Sequence, residues 1–156
     1  MAKRRQKLNM QPFWRFLFVA YCAVMLWLLF GRSFHYTPGI PYRQLLRDNV
    51  NVIPFYTIDN YMNILLHYPN AAIYRHCLVN IVGNIVMFIP AGFLIPKVFP
   101  ALNRYLRFFL TAFMAITVVE SVQLFTLLGF FDVDDLILNL VGMTLGFVLY
   151  ACFRKK

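Results

Sequence analysis

The chain has 156 residues, of which 61% are apolar and only 13% charged, against roughly 45–50% and about 25% in soluble domains. That much apolar surface exceeds what a water-soluble globule of this size can bury, and composition excludes that class. The 17 Phe, 9 Tyr and long aliphatic runs equally exclude a disordered chain. An integral membrane protein remains. Cys22, Cys77 and Cys152 follow neither a disulfide nor a metal-ligand spacing and read as small packing residues.

A hydrocarbon core of about 30 Å needs around 20 helical residues. Four runs satisfy this and predict an all-α protein with four transmembrane helices, at about residues 13–31, 78–95, 108–131 and 136–153. They form a single membrane domain over residues 1–156. Lys3, Arg4, Arg5 and Lys7 precede the first run as they would in a signal peptide. Its apolar stretch is longer than a usual signal core, and no convincing small-residue cleavage site follows it, so an uncleaved anchor is expected. Residues 32–77 form a polar segment with four prolines, too little core to stand alone. Within it Ile58, Met62 and Leu65 recur at helical spacing, which suits a short amphipathic helix lying on the membrane. This segment is expected to cap polar groups of the bundle, with Pro54-Phe55 dipping toward the bilayer. Residues 96–107 make a basic connection, and Asp132–Asp135 an acidic turn.

The net charge of +9 is a topology signal. With four spans and the N-terminus inside, one side collects Lys3, Arg4, Arg5, Lys7, Arg15, Lys97, Arg104, Arg107, Arg154, Lys155 and Lys156, and no acid. The other side carries Arg32, Arg43, Arg47 and Arg75 together with Asp48, Asp59, Asp132, Asp134 and Asp135. This is the positive-inside pattern, and it predicts a multi-pass cell-membrane protein with both termini cytoplasmic. It gives no support to nucleic-acid binding.

The informative residues are polar ones inside apolar runs. Glu120 lies 13 residues after Arg107 and 12 before Asp132, so a helix reaching residue 131 would place it near the midplane, roughly 18–20 Å from either charge. An acid at that depth costs about 2.5–3.5 kcal/mol on insertion scales and marks a functional or pairing position. Gln123 shares its face. Asn80 and Asn84 form an amide stripe on the second span, a turn and a half before Pro90. On the fourth span Asp135, Asn139, Gly142 and Gly146 share one face, the two glycines making a small-xxx-small seam for close helix approach. With the orientation above, these groups converge in the outward-facing half of the bilayer. The candidate ligand-binding set is therefore Asn80, Asn84, Glu120, Gln123, Asp134, Asp135 and Asn139. Asn and Gln are also common interhelical glue, and Asp132 reads more simply as a solvated turn residue capping the fourth helix.

Several blocks resemble the VanZ-like family. Asn51-Val52-Ile53-Pro54-Phe55-Tyr56-Thr57-Ile58 is similar to its "N-L-x-P-F-x-T-I" signature, and residues 83–93 to its "G-N-x-x-x-F-x-P-x-G-F". Glu120-Ser121-Val122-Gln123 is similar to "E-x-x-Q", and residues 132–142 to "D-x-D-D-x-x-x-N-x-x-G". Where members often have an arginine before the last block, this chain has Gly129-Phe130-Phe131. The resemblance implies an accessory envelope membrane protein that lowers sensitivity to teicoplanin-type lipoglycopeptides. It names no reaction.

Three functions compete. The first is a binding protein whose outward polar cluster engages a membrane lipid or lipid-linked precursor. The second is an intramembrane enzyme on such a lipid, with Glu120 as acid or base and Asp134 and Asp135 as metal ligands or partners. The third is a scaffold whose polar stripes only join helices. No zinc-protease motif, nucleophile elbow or phosphate loop is present in the sequence, so no catalytic residue is assigned. No cofactor and no metal are expected. His35, His67 and His76 show no ligand spacing and read as structural.

Overall fold

A computed structural model describes residues 10–31, 37–67 and 70–154. The basic run before Met10, Arg32, Ser33, His35, Lys155 and Lys156 lie outside the described residues. Four long apolar helices have the length and composition to cross a membrane: α1 (Gln11–Phe30), α4 (Ala71–Val98), α5 (Tyr105–Phe125) and α6 (Val133–Arg154). Between α1 and α4 the chain forms α2 (Tyr42–Asp48), the two-residue strand β1 (Val50–Asn51) and α3 (Tyr56–His67). A short 3-10 turn, Pro100–Leu102, joins α4 to α5, and β2 (Phe131–Asp132) leads into α6. The protein is a four-span helical membrane protein, as composition and hydropathy imply.

Two helix limits differ from the sequence reading, each for a local reason. α4 starts seven residues before the expected span because Asn70 caps it, its side chain accepting from the amides of Ala72 and Ile73. Its 28 residues extend about 42 Å, beyond a hydrocarbon core of about 30 Å. α5 stops at Phe125 and not at residue 131. Leu127 adopts φ 55°, and the amides of Leu128 and Leu127 return to the carbonyls of Gln123 and Leu124, 3.0 Å each. This is a Schellman closure with leucine where glycine is usual.

The core lies between α4, α5 and α6. Phe108, Ala112 and Ile116 of α5 pack with Met143, Phe147 and Tyr150 of α6 and with Phe88 and Ala91 of α4. The Phe108 and Phe147 rings stand 4.7 Å apart. α1 is peripheral and buries only Met25 among its described residues. Tyr21 fastens it by donating to the Met87 carbonyl at 2.9 Å, in the turn that Pro90 loosens by removing a backbone donor. Near the start of α1, the Lys97 ammonium sits 4.9 Å from the Trp14 ring centre. Large apolar side chains such as Phe16, Trp27, Leu106 and Met114 face outward, as a lipid-contacting surface requires.

α4 and α6 run parallel and meet backbone to backbone. A Cβ added to Gly142 would stand 2.1 Å from the Ile85 carbonyl oxygen, and one on Gly146 2.0 Å from that of Ile89. Gly92 of α4 would meet the Met143 carbonyl in the same way. The small-residue seam read on α6 thus has α4 as its partner.

This seam generates a prediction with an internal control. Gly142→Ala and Gly146→Ala each drive a methyl into backbone, and each is expected to lower stability by about 1–3 kcal/mol. Gly83→Ala meets only the Val79 side chain at 4.0 Å and is expected to be neutral or to gain up to about 1 kcal/mol in helix propensity. Thermal unfolding of the three variants in detergent checks this; equal midpoints would show that the seam is not close-packed.

Candidate functional site

The blocks Asn51–Ile58 and Asp132–Asp135 are some eighty residues apart in sequence and meet at the end of the bundle that carries α2 and α3. β1 and β2 pair in parallel, with Val50 opposite Phe131 and Asn51 opposite Asp132. Asp134 is fully buried. Its carboxylate accepts from the backbone amides of Phe55, Thr57 (2.8 Å) and Ile58 (3.0 Å) at the start of α3, where the helix dipole favours an anion. Phe55 takes φ 66°, and the chain turns there so that these donors converge. Asp132 receives the Thr57 hydroxyl at 2.6 Å and the Asn51 amide at 3.2 Å, and it caps α6 by accepting from the amide of Asp134 at 2.9 Å. Asp132 is therefore a buried cap and not the solvated turn residue its sequence context suggests.

Beside this interlock lies a cavity of about 430 Å³. Four of the seven candidate residues line it: Asn80, Glu120, Gln123 and Asp135. Asn84 stands behind them, its amide donating to the Asp135 carboxylate. Asn139 is buried one turn further along α6, and its carbonyl oxygen has no partner among the described residues. Asp134 is turned away, held by the α3 amides. It is not placed to serve Glu120 as a partner.

Glu120 is only 4% exposed, and its Oε2 has no hydrogen-bond partner among the described residues. Because α5 ends at Phe125, Glu120 lies about 7.5 Å from the helix end, shallower than the midplane position expected of a longer helix. Gln123 donates to the Leu29 carbonyl at 2.9 Å, tying the end of α1 to the cavity wall. Gly129 is what lets the returning chain pass: a Cβ there would come within 3.2 Å of the Gln123 side chain. Tyr42 of α2 fixes the same corner by donating to the Phe125 carbonyl at 2.7 Å.

The remaining walls were not singled out from sequence. α3 contributes Thr57, Asn60 and Tyr61, and α4 contributes His76. Burial, and beyond it the Asp135 carboxylate, push the Tyr61 hydroxyl above its ordinary range, so it remains a neutral donor at physiological pH. The Tyr61 and His76 rings meet edge to face at 6.2 Å. His76 thus lines the cavity, a placement its sequence context does not give. The available signal was its i, i+4 relation to Asn80, whose amide donates to the His76 carbonyl at 2.8 Å.

The sequence matches the VanZ/LLP1 family over residues 18–154. The chain belongs to that family. It is also similar to Protein VanZ of Enterococcus faecium, 25% identical over 142 residues that take in 90% of this chain and 75% of that protein. No solved structure matches it. In this VanZ/LLP1 chain the "N-L-x-P-F-x-T-I" and "D-x-D-D" blocks have one joint physical role. Asn51, Phe55, Thr57 and Ile58 supply the donors, and Asp132 and Asp134 the acceptors, of a single interlock.

Asp134→Asn replaces one of the two oxygens that face the α3 amides with a donor. The expected result is a loss of about 1–3 kcal/mol, with faster hydrogen exchange at the amides of Phe55, Thr57 and Ile58 and little change at Ile116. Hydrogen exchange read by mass spectrometry checks this; unaltered protection at those three amides would mean that the carboxylate does not hold α3.

Proposed function

We propose that this protein lowers susceptibility to teicoplanin-type lipoglycopeptides by engaging a membrane lipid or lipid-linked cell-wall precursor in the Glu120 cavity. Membership of the VanZ/LLP1 family and the similarity to Protein VanZ of Enterococcus faecium support the resistance phenotype. The observation that carries the binding reading is Glu120, a buried carboxyl group in a polar cavity with one oxygen unpartnered. A carboxyl group serving only as interhelical glue would have both oxygens bonded to neighbouring helices. In this reading the termini are cytoplasmic, following the distribution of Lys and Arg, and the cavity lies toward the outer leaflet, where lipid-linked wall precursors are exposed.

The orientation is tested by accessibility, after Cys22, Cys77 and Cys152 are replaced by alanine. Gln44→Cys on α2 is expected to react with a membrane-impermeant thiol reagent in intact cells, and Lys156→Cys only after lysis. The reverse pattern would place the cavity on the cytoplasmic side and defeat the precursor reading.

Function is separated from glue by a matched pair. Glu120→Gln keeps shape and hydrogen-bonding capacity but removes the acid. It is expected to reach the membrane at wild-type level and to lose the protection against a teicoplanin-type lipoglycopeptide. Glu120→Leu removes the polar group altogether and is expected to lose protection as well. Susceptibility at matched membrane abundance is the measurement, bounded by wild type and empty vector. Full protection in Glu120→Gln would show that the carboxyl group is not part of the function.

A further inference from the structure

At the end of the bundle opposite the Glu120 cavity, a groove of about 380 Å³ opens between the start of α1 and the end of α4. Phe18 and Val19 of α1 face Val98 and Phe99 across it, and Arg15 lines it with them. The Phe18 and Phe99 rings meet edge to face at 5.5 Å and join the two walls, while Val19 and Phe99 keep exposed surface. Arg15 is the one charged residue of α1. A guanidinium among apolar side chains near a helix end is stable in a bilayer where it reaches the headgroups. A second cation is held beside it. The Lys97 ammonium stands 4.9 Å from the ring centre of Trp14, the residue before Arg15, and 5.6 and 5.8 Å from those of Phe93 and Tyr150. The six Asp and Glu of the whole sequence are Asp48, Asp59, Glu120, Asp132, Asp134 and Asp135, and all belong to the end of the bundle that carries α2 and α3. We propose that this groove binds an anionic phospholipid, its phosphate on Arg15 and an acyl chain along Phe18, Val19, Val98 and Phe99.

Charge complementarity selects this occupant. A cation at one end of an apolar groove matches an amphiphile that carries its anion at one end, and a guanidinium binds phosphate oxygens in a bidentate fork. The start of α1 adds the positive end of its helix dipole. A zwitterionic headgroup satisfies Arg15 less well, because it brings its own ammonium toward Arg15 and Lys97. A second copy of the chain fits less well again. Paired about a two-fold axis, the same patch would set one Arg15 against the other. The site also has a structural consequence. α1 buries only Met25 among its described residues, so a lipid seated between α1 and α4 adds contact where the protein's own packing is sparse.

The full chain, purified in detergent, is titrated with dioleoyl phosphatidylglycerol and with dioleoyl phosphatidylethanolamine, and bound lipid is counted by native mass spectrometry. Phosphatidylglycerol is expected to bind about fivefold more tightly, the effect of one arginine on an anionic headgroup. Arg15→Gln is expected to remove most of that preference and Arg15→Lys to keep it. Arg107→Gln, at the start of α5 and away from the groove, is expected to leave it unchanged. Val19→Trp fills the groove without touching a charge and is expected to weaken both lipids; it carries the test should Arg15→Gln fail to fold. Equal binding of the two lipids by the wild type would overturn the proposal. An equal loss of preference in Arg15→Gln and Arg107→Gln would overturn it too, reducing the effect to a diffuse attraction of the basic end. A wild-type dimer that Val19→Trp converts to a monomer, with no lipid bound to either, would assign the groove to a second copy and overturn it likewise.

Discussion

The arrangement of this bundle depends on one buried carboxylate. Asp134 is removed from solvent, and an ion moved into a low-dielectric interior loses several kcal/mol of hydration. Three backbone amides at the N-terminus of α3 restore it, each a charge-assisted hydrogen bond reinforced by the helix dipole. The geometry requires Phe55 in the left-handed region, at a cost of about 1–2 kcal/mol for a residue with a Cβ. Relaxing that residue would scatter the donors and strand the charge. The strain is therefore held by the ion, and the ion by the strained turn.

Two consequences follow for the cavity. Asp134 fixes α3 above the bundle, which brings Thr57, Asn60 and Tyr61 over Glu120. The neighbouring Asp132 is drawn inward by the Asn51 and Thr57 side chains and at the same time starts α6. With α6 begun at that point, Asp135 falls one position on, facing Asn84 across the parallel α4–α6 seam. The seam itself admits no side chain at Gly92, Gly142 or Gly146, so the two helices cannot slide apart to accommodate a different register. One end of the cavity is set by a buried ion and its wall by backbone contact. Neither is easily deformed.

How much of this the sequence discloses depends on the range of the interaction. The four spans are legible because hydrophobicity is summed locally over about twenty residues, and the α6 seam because small residues recur on one helix face. The end of α5 is not legible. Residues 125–131 remain apolar, and the turn is made by Leu127 where a glycine would have announced it. That single difference moves Glu120 from the expected midplane to within two turns of the helix end. The start of α4 has a signal in Asn70, but the polar run Tyr74-Arg75-His76 interrupts hydropathy without interrupting the helix. The interlock lies beyond sequence reading altogether. Each block shows donors or acceptors, and nothing local says that Asp134 belongs to α3 and Asp135 to Asn84.

The division of labour among the three aspartates also explains why the chain manages without the arginine that relatives often carry before the "D-x-D-D" block. Asp132 and Asp134 are satisfied by hydroxyl, amide and backbone donors, so neither needs a guanidinium. Gly129, Phe130 and Phe131 occupy that stretch instead. Gly129 lies against the Gln123 side chain, and Phe130 borders the cavity with half its surface exposed. This stretch gives the cavity an aromatic wall at Phe130 and a close backbone passage at Gly129.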